Sequence, residues 1–213
     1  MPRARNLVFF EFLGTTVILF GAFLGSLFIP VGGYNWITPP FVGLAIALTF
    51  HKSGAHLNPA VTALVNAMPR KHRIQNGVYG ATQFATAGVI GFALMPLLLG
   101  VGNVNLVPWG WSPQVVWLET LATFILMTLI AILAINGKAI WTIVAVPGML
   151  YLLALSPLSS NQMNPAVTLA QTVEGLLSPA ELLEHFSGEV LGVAVVILWV
   201  RLWVIRKRLA STN

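Results

Sequence analysis

The same five residues, Asn-Pro-Ala-Val-Thr, occur twice in this chain, at Asn58–Thr62 and at Asn164–Thr168. Each copy falls in a break between long apolar runs. Asparagine caps the open N–H groups at a helix start, and proline suits the first helical position because its missing N–H would be unpaired there anyway. Two short helices are therefore expected to begin inside hydrophobic territory, at Asn58-Pro59-Ala60 and at Asn164-Pro165-Ala166. Exposed backbone at that depth is costly unless it lines a water-filled path. A side-chain amide there offers two donors and one acceptor oxygen. That chemistry can hold an uncharged solute in passing, but it cannot break a bond. The polar residues assemble neither a nucleophile–base pair nor a metal cluster, so no enzyme, cofactor or bound metal is expected.

Long apolar spans must position these breaks. They read at about 7–29, 36–52, 77–99, 114–135, 139–156 and 185–205, near the length that crosses a bilayer. The second is short, with Pro39-Pro40 near its start. Of 213 residues 57% are hydrophobic and only 8% charged, with mean hydropathy +0.84. A soluble domain carries about 25% charged residues, so this is an integral membrane protein, one compact helical unit over 1–213. There is no cysteine, which excludes thiol chemistry.

The net charge of +5 does not point to nucleic acid, because of where the charges lie. Six spans place both termini on one side. The basic clusters at Arg3 and Arg5, Lys52, Arg70–Arg73, Lys138 and Arg206–Arg208 then share that side, with Arg201 reaching toward it. The opposite loops carry no basic residue, and the loop 156–183 carries only Glu174 and Glu181. The positive-inside rule makes both termini cytoplasmic. Trp36, Trp109, Trp111 and Trp117 would mark the outer interface, and Trp141, Trp199 and Trp203 the inner one.

The two motifs begin 106 residues apart (164 − 58), and Glu11 and Glu119, each inside a span, lie 108 apart (119 − 11). Each half, about 1–106 and 107–213, holds three spans and one half-helix. An odd number of crossings inverts the second half, so the half-helices enter from opposite faces and meet near the midplane. Glu11 and Glu119 are functional candidates by their depth. Their spacing follows the half-helices, which favours a carboxylate bracing the N–H groups of each re-entrant loop. Gly21-x-x-x-Gly25 and Gly188-x-x-x-Gly192 permit close helix approach.

These residues resemble the aquaporin, or major intrinsic protein, family over essentially the whole chain. The resemblance rests on Ser53-Gly-Ala-His-Leu-Asn-Pro-Ala-Val61, Asn164-Pro165-Ala166, the Glu11 and Glu119 pair, Gln83, and Gly188-x-x-x-Gly192. It implies an all-α membrane protein with six transmembrane helices, two re-entrant half-helices and an inverted repeat. It also implies a homotetramer with one pore per subunit, passing water or small uncharged solutes without a cofactor. The approach segments Gly54, Ala55, His56, Leu57 and Gln162, Met163 would run extended and line the pore with carbonyls, with glycine at 54 suiting an unusual backbone angle. His56 would pack beside its half-helix.

Several positions depart from water channels. Water-selective and glycerol-conducting members of the family usually place arginine directly after the second Asn-Pro-Ala, where this chain has Val167. Counting from the motifs gives the other filter positions as Thr38 (or Phe41), Leu152 and Asn161. Leu152 stands where strict water channels place histidine. The filter is then wide and less polar, with no fixed cation, and a valine at this position resembles a bacterial subgroup associated with metalloid resistance. The expected cargo is metalloid hydroxides such as arsenite and antimonite, glycerol and some water, across a bacterial inner membrane. The alternatives are a water-selective channel, a secondary transporter and a closed adhesive member of the family. Glu189 stands where the family often has proline, and an interface position is expected for it.

Overall fold

A computed structural model describes residues 2–28, 36–68, 73–94, 112–155 and 162–210. Among them every regular element is helical: α1 (Pro2–Phe28), α2 (Thr38–Ser53), α3 (Pro59–Ala67), α4 (Arg73–Val89), α5 (Pro113–Ile135), α6 (Thr142–Ala154), α7 (Pro165–Val173) and α8 (Pro179–Ala210). A π turn at Ile90–Leu94 extends α4, and a 3-10 turn at Ala139–Trp141 leads into α6. Three segments, Asn6–Ser26, Pro113–Ile135 and Pro179–Arg206, are long and apolar enough to cross a membrane by themselves.

The packing is set by small residues. α1 and α2 run antiparallel, with Glu11 beside Ser53 at one end and Gly21 under Phe41 toward the other. α5 and α8 run parallel and almost touch. A Cβ on Gly188 would lie 2.5 Å from the Glu119 Cβ, and one on Gly192 would lie 2.7 Å from the Thr120 carbonyl oxygen. Close backbone approach through small residues replaces the hydrophobic drive that lipid cannot supply. Large apolar side chains such as Phe92, Trp117, Val144 and Leu198 face outward, while Glu11, Gln83, Glu119 and Glu189 are fully buried. That inversion of the soluble pattern suits a lipid surround.

One boundary differs from the sequence reading. The last span was expected from about 185, but α8 starts at Pro179. Ser178 and Glu181 make a reciprocal cap: Glu181 N–H donates to Ser178 Oγ at 3.2 Å, and Ser178 N–H donates to the Glu181 carboxylate at 2.7 Å. The extra turns carry Glu181, Glu184 and His185 into the bundle, where Glu184 accepts from the Ser112 N–H.

Candidate functional site

The half-helices α3 and α7 are nine residues each, and each begins at its asparagine. Asn58 Oδ1 accepts from Ala60 N–H at 2.8 Å, and Asn164 Oδ1 accepts from Ala166 N–H at 3.1 Å. The amide nitrogens cross over. Asn58 Nδ2 donates to the Met163 carbonyl at 2.8 Å, and Asn164 Nδ2 donates to the Leu57 carbonyl at 3.3 Å. The two helix starts are thus bonded to each other's approach segment, and both asparagines face one cavity. Pro59, Ala60, Pro165 and Ala166 do not line it; Ala60, Pro165 and Ala166 are buried in the packing behind.

The approach segments are bent sharply. Leu57 and Met163, each directly before its asparagine, have φ of 54° and 55°, Ala55 has 51°, and Gly54 has 91°. Left-handed backbone in a residue with a Cβ costs on the order of 1–3 kcal/mol and persists only where its surroundings hold it. Two carboxylates do so. Glu11 accepts from Ser53 Oγ (2.7 Å), His56 N–H (3.1 Å), Leu57 N–H (2.8 Å) and Gln83 Nε2 (2.9 Å). Glu119 accepts from Gln162 N–H (2.9 Å), Met163 N–H (2.5 Å) and Thr123 Oγ1 (3.3 Å), and its Oε2 lies 2.5 Å from His185 Nδ1. With the amides turned to the carboxylates, the segments Gly54–Leu57 and Gln162–Met163 lie along the cavity wall. The His56 ring packs edge-on to Tyr79, with centroids 5.1 Å apart, and Tyr79 Oη donates to the Ser53 carbonyl.

Glu189 is an internal residue rather than an interface one. Thr62 hydrogen-bonds Gln83, 21 residues on, and Thr168 hydrogen-bonds Glu189, also 21 residues on. Gln83 and Glu189 therefore hold matching places behind the two half-helices. Gln83 completes its place by donating to Glu11. Glu189 has no amide N–H to give, and its Oε2 is buried without a hydrogen-bond partner of good geometry, with the Asn164 backbone N–H and the Glu119 carboxylate both acting on the group.

The cavity measures about 710 Å³ and follows whole helices. On α2 it touches Thr38, Val42, Ile46, Phe50 and Ser53, and on α6 it touches Val146, Leu150 and Leu153. Of the four expected filter positions, Thr38 and Val167 line it, and Thr38 Oγ1 donates to the Gly21 carbonyl. Phe41 packs instead on Phe20 and over Gly21. Asn161 lies outside the described residues. Leu152 is a correction: it is 70% exposed on the outer face of α6, and Leu153, at 7%, faces the cavity. A count of twelve back from Asn164 misses the cavity-facing position by one residue, and one residue on a helix turns the side chain by about 100°. His185 and Glu181 of α8 also reach the cavity and were not anticipated. The Ser-x-x-Glu start of α8 was the signal that could have placed them.

An all-α membrane fold in which two asparagine-capped half-helices meet on one long cavity is the aquaporin-like architecture. The chain is 31% identical over 156 residues to aquaporin NIP2-2 of Zea mays, covering 71% of this chain and 53% of that protein. It is 28% identical over 194 residues to aquaporin NIP1-3 of Oryza sativa subsp. japonica, covering 84% and 64%. To aquaporin NIP1-1 of Arabidopsis thaliana it is 28% identical over 181 residues, covering 75% and 60%. It spans about half to just under two thirds of the length of these relatives, and no family model matches it. The chain belongs to the aquaporin (major intrinsic protein) family. The relatives are plant proteins and lend no support to the bacterial subgroup or inner membrane expected from the filter residues.

Proposed function

We propose that this chain is a passive channel for small uncharged solutes, with metalloid trihydroxides and glycerol as cargo and some water flow. The observation that carries this reading is the pair of asparagines, cross-bonded and facing a cavity whose wall at the position after the second motif is Val167. Both half-helices direct the positive ends of their dipoles at that place, which repels cations. An ion there would lose hydration with no compensating charge, at a cost of at least several kcal/mol. A neutral solute with hydroxyls finds amide donors and carbonyl acceptors instead. The apolar Val167 leaves the outer passage without a fixed cation, which favours larger polyhydroxyl species over strict water selectivity.

The halves 1–106 and 107–213 act as an inverted duplication in this proposal, with both termini cytoplasmic by the distribution of Lys and Arg. The apolar exterior suits a homotetramer in lipid. The test is light scattering from proteoliposomes. The expected result is entry of glycerol and arsenite well above protein-free vesicles with only moderate water flow. Val167→Arg should cut solute entry more than water flow, because the longer side chain narrows the passage; a tenfold loss of glycerol entry corresponds to about 1.4 kcal/mol. Fast water flow with no solute entry in the parent chain makes it a water channel and rejects the wide-filter reading.

A further inference from the structure

His185 is a pore-wall residue that the channel reading has not used. It lies in the second turn of α8, is 6% exposed, and lines the cavity together with Val167 and Gln171 of α7 and Glu181 of α8. Its ring is fixed from behind, with Nδ1 2.5 Å from Glu119 Oε2. Glu119 already accepts two backbone N–H groups and a threonine hydroxyl, so its oxygens act as acceptors throughout. Nδ1 is therefore the donor in that contact, and the neutral ring keeps its lone pair on Nε2. No hydrogen bond from the described residues reaches Nε2, and it is not among the fully buried atoms lacking a partner.

Resting on the proposed channel function, we infer that His185 is a specificity-determining residue that accepts a hydrogen bond from a solute O–H at Nε2. The wall at Val167 offers no donor, so the polar contact of this stretch runs opposite to an arginine's: it accepts where an arginine can only donate. Hydroxyl-bearing solutes can give a proton to Nε2 and present their oxygens to the asparagine amides. The ionisable groups around it are Glu119 from α5, Glu189 one turn further along α8, and Glu181 and Glu184 on its own first turns. α3 and α7 contribute no ionisable side chain, and Glu174 follows the end of α7.

The experiment measures glycerol entry into proteoliposomes of the full chain and of two variants. Loss of one solute hydrogen bond predicts a fall of about threefold or more in His185→Phe. His185→Gln, which keeps an acceptor, should hold an intermediate rate. A His185→Phe rate equal to the parent's, or a His185→Gln rate no better than that of His185→Phe, overturns the inference while leaving the channel intact. Absence of glycerol entry in the parent chain removes the channel reading and this one with it. Should the variants not fold, diethyl pyrocarbonate on the parent chain decides the matter. Carbethoxylation of His185 that slows glycerol entry and is prevented by glycerol is expected. Modification of the exposed His51 with none at His185 would show Nε2 closed to the cavity and sink the proposal.

Discussion

The two halves of the site differ at one matched position, and the difference can be repaired. Gln83 accepts from Thr62 and donates Nε2 to Glu11 at 2.9 Å. Glu189 accepts from Thr168 at 2.9 Å but leaves Oε2 buried and unpartnered, with Glu119 as the neighbouring carboxylate that acts on it. Glu189→Gln keeps the shape and the Thr168 bond and supplies an N–H where the first half has one. An unpartnered buried polar atom costs about 1–3 kcal/mol, and a hydrogen bond to a charged group is worth about 1.5–3 kcal/mol. Partial relaxation in the parent protein makes the net gain smaller than their sum, about 2 kcal/mol.

For a chain of this size that gain raises the unfolding midpoint by about 4–8 °C. Intrinsic fluorescence of the seven tryptophans in detergent reads it directly. The mirror variant, Gln83→Glu, removes the donor to Glu11 and should lower the midpoint by a similar amount. A lower midpoint for Glu189→Gln, or an unchanged one for Gln83→Glu, refutes the claim that the two positions are equivalent.

Glu174, at the end of α7, has a buried Oε2 without a partner, and burial pushes its carboxyl up from 4.5 to about 7. The folded state then holds the proton more tightly than the unfolded state, so its stability falls as pH rises from about 4.5 to about 7. Glu174→Gln should flatten that slope and raise the midpoint at pH 8, as read by thermal unfolding across the pH range. Gly188→Ala would set a Cβ 2.5 Å from the Glu119 Cβ and 2.7 Å from the Val116 carbonyl oxygen. Its expected cost is about 1–3 kcal/mol, together with slower glycerol entry because Glu119 must shift. A variant with parental midpoint and entry rate would show that α5 and α8 separate freely.

The half-helices were legible because their signal is local: an asparagine, a proline and a repeat of both at half the chain. The braces Glu11 and Glu119 were legible because a carboxylate in an apolar run needs a reason to be there. The face of α6 was not legible. Thr142–Ala154 is apolar almost throughout, so no polar stripe marks its outside, and only packing sets Val146, Leu150 and Leu153 inward and Leu152 outward. His185 was missed because hydropathy ended the last span just where it stands, although the Ser178 and Glu181 cap fixes the true start six residues before 185.

The cross-bonds change how the asparagines must work in the proposed channel. An amide with two free N–H groups could satisfy a solute oxygen by itself, yet each asparagine here spends its oxygen on its own helix and one N–H on the opposite carbonyl. One N–H remains on each side chain, and only the two together supply both bonds that a solute oxygen can accept. A water held that way directs its own hydrogens outward along the passage and cannot accept a proton from its neighbour. The same bonds bind one half to the other, so the donor pair exists only while Leu57 and Met163 keep their left-handed turns. Those turns rest on Glu11 and Glu119. In the proposed channel, selectivity at the centre is therefore set two layers away from the solute, by carboxylates outside the cavity lining.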